Sequence, residues 1–155
     1  MLEGKIFNDY KEAMKNRDRL KSSVLSFLRA GLMNAAIEKK KKNLDDNDCI
    51  AVIRKQIKQR RESIEQFQKG SRQDLADKEI KELGILRAYL PEELSVDELK
   101  KIIEEAVFTT AASGIKDMGR VMKEAAVRIA GRADSKLASD LVRERLSKFT
   151  PENAP

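Results

Sequence analysis

The sequence predicts an all-α protein with two helical bundles, an N-terminal four-helix unit over residues 2–90 and a C-terminal three-helix unit over residues 95–149. Apolar residues recur at spacings of three and four along nearly the whole chain, which is the period of an amphipathic helix. Of 155 residues, 37% are charged and 5% are aromatic, with only 7 Gly and 3 Pro, a composition typical of helices with solvated outer faces. Pro91 marks the boundary between the units, because the residue before a proline is disfavoured in the α region.

The first two helices are predicted from apolar faces separated by a capping residue. The first helix should end near Asn16, and Asp18 is a good N-cap for the second. The second helix carries the best core candidate of this unit, a face made of Leu20, Val24, Phe27, Leu28, Gly31 and Ala35. Since Phe27 falls on this apolar face, we do not expect its ring, or that of Phe67, to stack on a nucleobase.

Lys39 to Lys42 are four consecutive lysines that follow the second helix. They either complement the negative end of the helix dipole or belong to a site for an anionic ligand. Asp45, with Asp48 three residues later, then predicts the capped start of the third helix.

The third helix is the most basic of the chain, and Arg60 interrupts its apolar seam. This guanidinium either reaches out to solvent along its stem or pairs with a carboxylate or a ligand phosphate. On the same helix, Arg54, Lys58 and Arg61 form a candidate surface for an acidic protein partner. Gly70 should end this helix, and the segment from Ser71 to Asp74 should start the fourth.

The C-terminal unit begins with a capping box, in which Ser95 is followed three residues later by Glu98. Gly114 is expected to close this helix. Met118 to Leu146 then form two short helices with apolar faces, joined at a turn where Gly131 fits a C′ glycine and Asp134 fits an N-cap.

A basic corner is predicted around that turn. Its residues are Lys116, Arg120, Lys123, Arg132 and Lys136. Basic side chains of this kind contact phosphates, and the free amides at the start of the last helix can hold one. The alternative is an ordinary solvated helix face.

Composition argues against most catalytic and metal chemistry. The chain has no His and a single Cys, whereas zinc sites, His-based proton transfer and Cys-His nucleophiles require those residues. Cys49 follows several acidic residues, which disfavour its thiolate. Neither a GxGxxG nor a GxxxxGK[ST] loop occurs. We therefore predict no catalytic residue, no metal ligand and no cofactor.

Charge and hydropathy bear on partners and on location. The net charge is +6, with 21 basic and 14 acidic residues in 1–90 and 11 basic and 12 acidic in 91–155. Such a protein can attract polyanions. The N-terminus lacks the apolar core of a signal peptide, and no run approaches a membrane span, which predicts a soluble cytoplasmic protein without a membrane partner. Residues 150–155 are predicted to be a disordered tail.

Two sets of short motifs resemble a known family. In the C-terminal half they are Gly119-x-Val121-Met122-Lys123, Gly131-Arg132-Ala133-Asp134 and Leu141-Val142 with Leu146. In the N-terminal half they are Asp9, Ala13-Met14-Lys15, Val24-Leu25, Asn34, Glu38, Lys58-Gln59-Arg60, Ser63, Phe67 and Tyr89-Leu90-Pro91-Glu92. The first set resembles the tail domain of the B subunit of tRNA-dependent amidotransferases. In order and spacing, the whole chain is similar to free-standing relatives of that tail, the GatB/YqeY family.

The resemblance implies RNA binding. In the amidotransferase the helical tail grips tRNA, while amide transfer belongs to a separate part of the B subunit and to a partner subunit. A label of carbon-nitrogen ligase with glutamine as amide donor would therefore be inherited by name. Lys123 and Arg132 match the tail's pattern, whereas Asp134 stands where the tail more often has a neutral capping residue.

Three hypotheses follow. The first is a non-catalytic accessory protein that binds tRNA or another structured RNA, linked to an amidotransferase or to a translation-associated protein. The second is a protein-protein adaptor that uses the basic N-terminal bundle. The third is a helper subunit that assists amide transfer in trans.

Overall fold

A computed structural model describes residues 1–149, and the predicted tail at 150–155 lies outside them. The described residues form seven α-helices and one 3-10 helix, with no strand, so the all-α prediction is confirmed. The helices are α1 (Leu2–Lys15), α2 (Arg19–Lys39), α3 (Asp46–Lys69), α4 (Gln73–Arg87), α5 (Val96–Thr110), α6 (Met118–Ile129) and α7 (Ser135–Ser147). The 3-10 helix is Ile115–Asp117. The chain divides into two compact units, Met1–Leu90 and Pro91–Pro155.

The N-terminal unit packs α1 to α4 around one apolar core, and α2 supplies its largest share. Val24, Leu25 and Leu28 of α2 are at most 1% exposed. Both predicted caps are present: the Asp18 carboxylate accepts from the Lys21 amide at 3.1 Å, and Asp45 accepts from the Asp48 amide at 2.8 Å. These bonds satisfy helix amides that have no partner within the helix.

Phe27 is not part of that core, and its predicted placement is wrong. Its side chain is 58% exposed, whereas Leu28 beside it is fully buried. The apolar face of α2 is centred on Leu28 and Leu32, and Phe27 lies about 100° around the helix from Leu28. An aromatic side chain at the edge of an apolar stripe can satisfy the periodicity and still face solvent.

The lysine run at the end of α2 is partly built into the fold. Lys39 and Lys41 both pair with Asp48, the latter at 2.6 Å, and Lys41 also pairs with Asp45 at 3.1 Å. Asp48 is 7% exposed, and its hydrogen bonds to Lys39 and Lys41 hold the pKa of its carboxyl at about 2. These two lysines therefore tie the end of α2 to the start of α3.

Arg60 pairs with carboxylates, one of the alternatives that the sequence leaves open. Its guanidinium bridges from α3 to Glu79, at 3.1 Å, and to Glu82 of α4. All three side chains are at most 22% exposed, so the charges compensate each other where solvent is scarce.

The C-terminal unit packs α5, α6 and α7 around a core that includes Leu99, Ile103, Val121, Val142 and Leu146. The predicted capping box is present, with Ser95 Oγ accepting from the Glu98 amide and the Glu98 carboxylate accepting from the Ser95 amide.

Two predicted helix limits are wrong. Gly114 does not close α5, which ends at Thr110 followed by the left-handed Ala111. Ser71 does not cap α4, because Arg72 is the N-cap residue and makes no side-chain capping bond. In both cases a left-handed residue, Ala111 or Ser71 with a φ of 57°, turns the chain within one or two residues of the preceding helix end.

Candidate nucleic-acid interface

The candidate site is built on α6, on α7 and on the turn between them. Ala130 and Gly131 are both left-handed, with φ of 49° and 76°. Gly131 occupies the predicted C′ position, where the absence of a Cβ makes this conformation inexpensive. The turn brings Asp134 to the N-cap of α7 as predicted.

The five predicted basic residues fall into two groups and do not form one compact corner. Arg120 donates to the Thr110 carbonyl at the end of α5, at 3.1 Å. Arg132 donates to the Glu92 carbonyl, before α5 begins, at 3.3 Å. Because a 15-residue helix is about 22 Å long, Arg120 and Arg132 lie near opposite ends of the unit.

Arg120 has a structural role in the first group. It pairs at 2.6 Å with Asp117, which is 9% exposed. Asp117 also accepts from the Ser113 amide, and this hydrogen bond, together with Arg120, lowers the pKa of its carboxyl to about 2. Arg120 therefore secures the loop between α5 and α6.

Arg132 has a similar role in the second group. Its main-chain carbonyl accepts from the Leu94 amide at 2.8 Å, and its guanidinium donates to Glu92 in the same segment. The two bonds fix the chain just before the Ser95 capping box to the turn that precedes α7.

The three predicted lysines are different, because their charges are left to solvent. Lys116, Lys123 and Lys136 are exposed. None of them has an ion-pair partner within residues 1–149. An ammonium group in this state is available to a ligand phosphate.

On the outer face of α6, Lys123 is flanked by a stripe of uncharged residues with small side chains or none. At spacings of three and four, the stripe contains Gly119, Ala126 and Ala130, all of them exposed. Because these side chains are small or absent, a sugar-phosphate backbone can approach the helix closely and still reach the ammonium group.

The first turn of α7 adds further positive charge to the candidate site. Asp134 is the N-cap residue, but it makes no side-chain capping bond, so its carboxylate does not engage the first-turn amides. Lys136 lies in this first turn. Arg143, seven residues later on the same face of α7, is also exposed; its helical spacing from Lys136 could have identified it from the sequence.

The predicted partner-binding residues lie on one face of α3 at spacings of four and three. Arg54 is half-buried, whereas Lys58 and Arg61 are exposed. Their role as a partner surface stays a prediction.

Other reactive groups are few among the described residues. Cys49 is fully buried, and burial together with nearby Glu3 and other carboxylates raises the pKa of its thiol to about 11. Residues 1–149 contain no cluster of three or more His, Cys, Asp or Glu side chains placed to hold a metal ion. Nor does this part of the chain contain a helix long and apolar enough to cross a membrane.

Comparisons with known proteins place the chain in one family. The family model described as Yqey-like protein matches residues 3–146. A protein of Pyrenophora tritici-repentis named altered inheritance of mitochondria protein 41, mitochondrial, is 33% identical over 142 residues, which are 88% of this chain and 76% of the relative. The protein of the same name from Lachancea thermotolerans is 37% identical over 82 residues, 53% of this chain but only 44% of the relative. The one from Saccharomyces cerevisiae is 29% identical over 121 residues, 75% of this chain and 65% of the relative.

These relatives contradict the predicted cytoplasmic location, because their names place them in mitochondria. The prediction relied on the lack of an apolar signal peptide and of an apolar membrane span. Mitochondrial targeting segments are amphipathic and rich in Arg and Ser, so neither absence bears on that destination.

Proposed function

The chain belongs to the YqeY-like protein family, and from that premise we propose that it is a non-catalytic RNA-binding protein whose ligand is tRNA or a similarly structured RNA. The observation that carries the proposal is the set of three exposed lysines, Lys116, Lys123 and Lys136, whose charges have no ion-pair partner among the described residues. Structured RNA is recognised mainly by its shape and through its phosphates and 2′-hydroxyls, and exposed lysine side chains contact the phosphates.

The physical support lies in how the C-terminal unit divides its cations. Arg120 and Arg132 are engaged with the protein's own carbonyls and carboxylate. The lysines, the small-residue stripe around Lys123 and the uncapped amides of α7 remain for a phosphate backbone. We accordingly assign phosphate contacts to the lysines and a positioning role to the two arginines.

We also propose a link between this chain and amide transfer on tRNA. The motifs around Lys123 and Arg132 resemble the tRNA-gripping tail of the amidotransferase B subunit. The chain has no His, and its one Cys is buried. In our proposal the chain therefore presents or retains tRNA, and an amidotransferase or translation-associated protein performs the chemistry.

The test is fluorescence anisotropy of labelled tRNA with the intact chain and with a Lys116→Glu/Lys123→Glu/Lys136→Glu variant. The matched control is Lys15→Glu/Lys81→Glu/Lys101→Glu, three exposed lysines elsewhere that change the net charge equally. Circular dichroism verifies the fold of both variants.

We expect the first variant to bind at least tenfold more weakly than the control variant. Equal weakening in both variants would reduce the interaction to net charge and remove the site. The absence of tRNA binding by the intact chain at low salt would overturn the proposal as a whole.

A further inference from the structure

In the N-terminal unit, the outer face of α2 is apolar and exposed. Phe27, Met33 and Ile37 are 58%, 63% and 73% exposed. Between residues 22 and 37 the only charged side chain is Arg29, although 37% of the chain is charged. A long uncharged surface on a highly charged protein is typical of an interaction site.

A groove of about 370 Å³ runs between this face and α3. Its α2 wall contains the small residues Ala30, Gly31 and Ala35, and its α3 wall contains Val52 and Gln56. A Cβ at Gly31 would lie 2.6 Å from Gln56 Nε2. The missing side chain thus lets the Gln56 amide sit at the base of the groove, against α2.

Gln56 has an unsatisfied polar atom there. The residue is 6% exposed, and its Nε2 donates to the Phe27 carbonyl at 3.3 Å. Its Oε1 is buried without a hydrogen-bond partner among the described residues. A buried acceptor in this state is costly, and an occupant of the groove that carries an N–H or O–H donor would satisfy it.

The charge of the N-terminal unit favours an acidic occupant. On the groove wall, Lys55 has no ion-pair partner within residues 1–149, while Lys39 pairs with Asp48. Glu38 is the one wall carboxylate without an ion-pair partner in the same range. With 21 basic and 14 acidic residues in 1–90, the unit would repel a second copy of itself.

We propose that this groove binds an amphipathic helix of a partner protein, with apolar residues at spacings of three and four and a net negative charge. The apolar side of that helix covers the exposed face of α2, and a donor side chain reaches the Gln56 amide. Its acidic residues face Lys55 on the α3 wall. This mode is the insertion of a helix into a groove, at a surface distinct from the Arg54, Lys58 and Arg61 face.

The experiment selects binders from a displayed library of random 18-residue peptides, with the intact chain as bait. Selected peptides are measured against an Ala30→Glu/Asn34→Glu variant, which places two carboxylates on the exposed groove wall. A Phe108→Glu/Val127→Glu variant adds the same charge at two exposed positions of the C-terminal unit and serves as the matched control. A third variant, Gln56→Met, removes the unsatisfied oxygen at nearly constant volume.

We expect enriched peptides to be acidic and amphipathic, to bind the groove variant at least tenfold more weakly, and to bind the Phe108→Glu/Val127→Glu control with unchanged affinity. Gln56→Met should weaken binding while the protein becomes no less stable, a combination that a merely structural glutamine would not give. Failure to enrich peptides, enrichment of basic ones, or unchanged binding to the groove variant would overturn the proposal. Self-association of the intact chain that the groove variant abolishes would assign the face to a second copy instead.

Discussion

Arg120 donates to a carboxylate and to a main-chain carbonyl, whereas Lys123, three residues later on the same helix, donates to neither. The difference follows from side-chain chemistry. A guanidinium offers several donors in a rigid fork, so it can hold two acceptors at once, while an ammonium is a strongly hydrated point charge. Exposed cations that look equivalent in the sequence therefore take different roles in the C-terminal unit.

Asp134 is the residue at which a small change should strengthen RNA binding. Its exposed carboxylate lies at the N-cap of α7 without bonding to the first-turn amides, where it opposes an approaching phosphate. We expect Asp134→Asn to raise tRNA affinity about two- to fivefold, the range that one charge at a helix terminus produces. The measurement is anisotropy at fixed salt. Unchanged or weaker binding would show that no phosphate approaches this end of α7.

Asp48 should make the N-terminal unit sensitive to acid. Its folded-state pKa of about 2 lies below the ordinary value of 3.8 because Lys39 and Lys41 bind the ionised form. A lowered pKa contributes stability that is complete above about pH 4 and is lost as the pH falls through about 2.

The corresponding variant is Asp48→Asn, compared with the exposed Glu12→Gln as control. We expect Asp48→Asn to lower the melting temperature at pH 6, and the difference from the wild type to shrink as the pH approaches 2. Thermal unfolding followed by circular dichroism across this range makes the comparison. A difference that stays constant with pH would contradict the assigned ion pairs.

At the scale of elements, the helices follow closely from apolar periodicity and caps, because both are local signals. The Ser95 capping box and the Asp18 and Asp45 caps could be read within four residues of sequence. Apolar periodicity does not show which residues of other helices a given helix contacts. The carboxylates that hold Arg60 lie 19 and 22 residues away on α4, and the exposure of Phe27 depends on which neighbour packs beside α2.

Neighbouring residues of α2 give a direct test of that helix's orientation. Leu28→Ala should cost about 2–5 kcal/mol of unfolding free energy, because the side chain is fully buried. Phe27→Ala should cost less than half as much, although the side chain is larger, since it is more exposed than buried. Urea denaturation of both variants measures the two values. A larger loss for Phe27→Ala would mean that α2 presents a different face to the core.

At the scale of the whole molecule, net charge located the basic half of the chain but not the surface that we propose for RNA. The N-terminal unit has the larger positive charge, yet Lys39, Lys41 and Arg60 there are engaged in ion pairs. In the C-terminal unit, helical spacing grouped Arg120 with Lys123 correctly. It could not reveal that Arg120 reaches a carbonyl of α5, since that contact joins residues in different helices.

The salt dependence of tRNA binding tests the central claim most directly, because each phosphate neutralised by a lysine releases counterions and steepens the dependence. The comparison is between the intact chain, a Lys116→Gln/Lys123→Gln/Lys136→Gln variant and a Lys15→Gln/Lys81→Gln/Lys101→Gln control. If the three lysines contact phosphates, the plot of log K against log salt should become shallower by about 2 to 3 in the first variant only. An unchanged slope in that variant, or the same change in the control, would contradict the proposed interface.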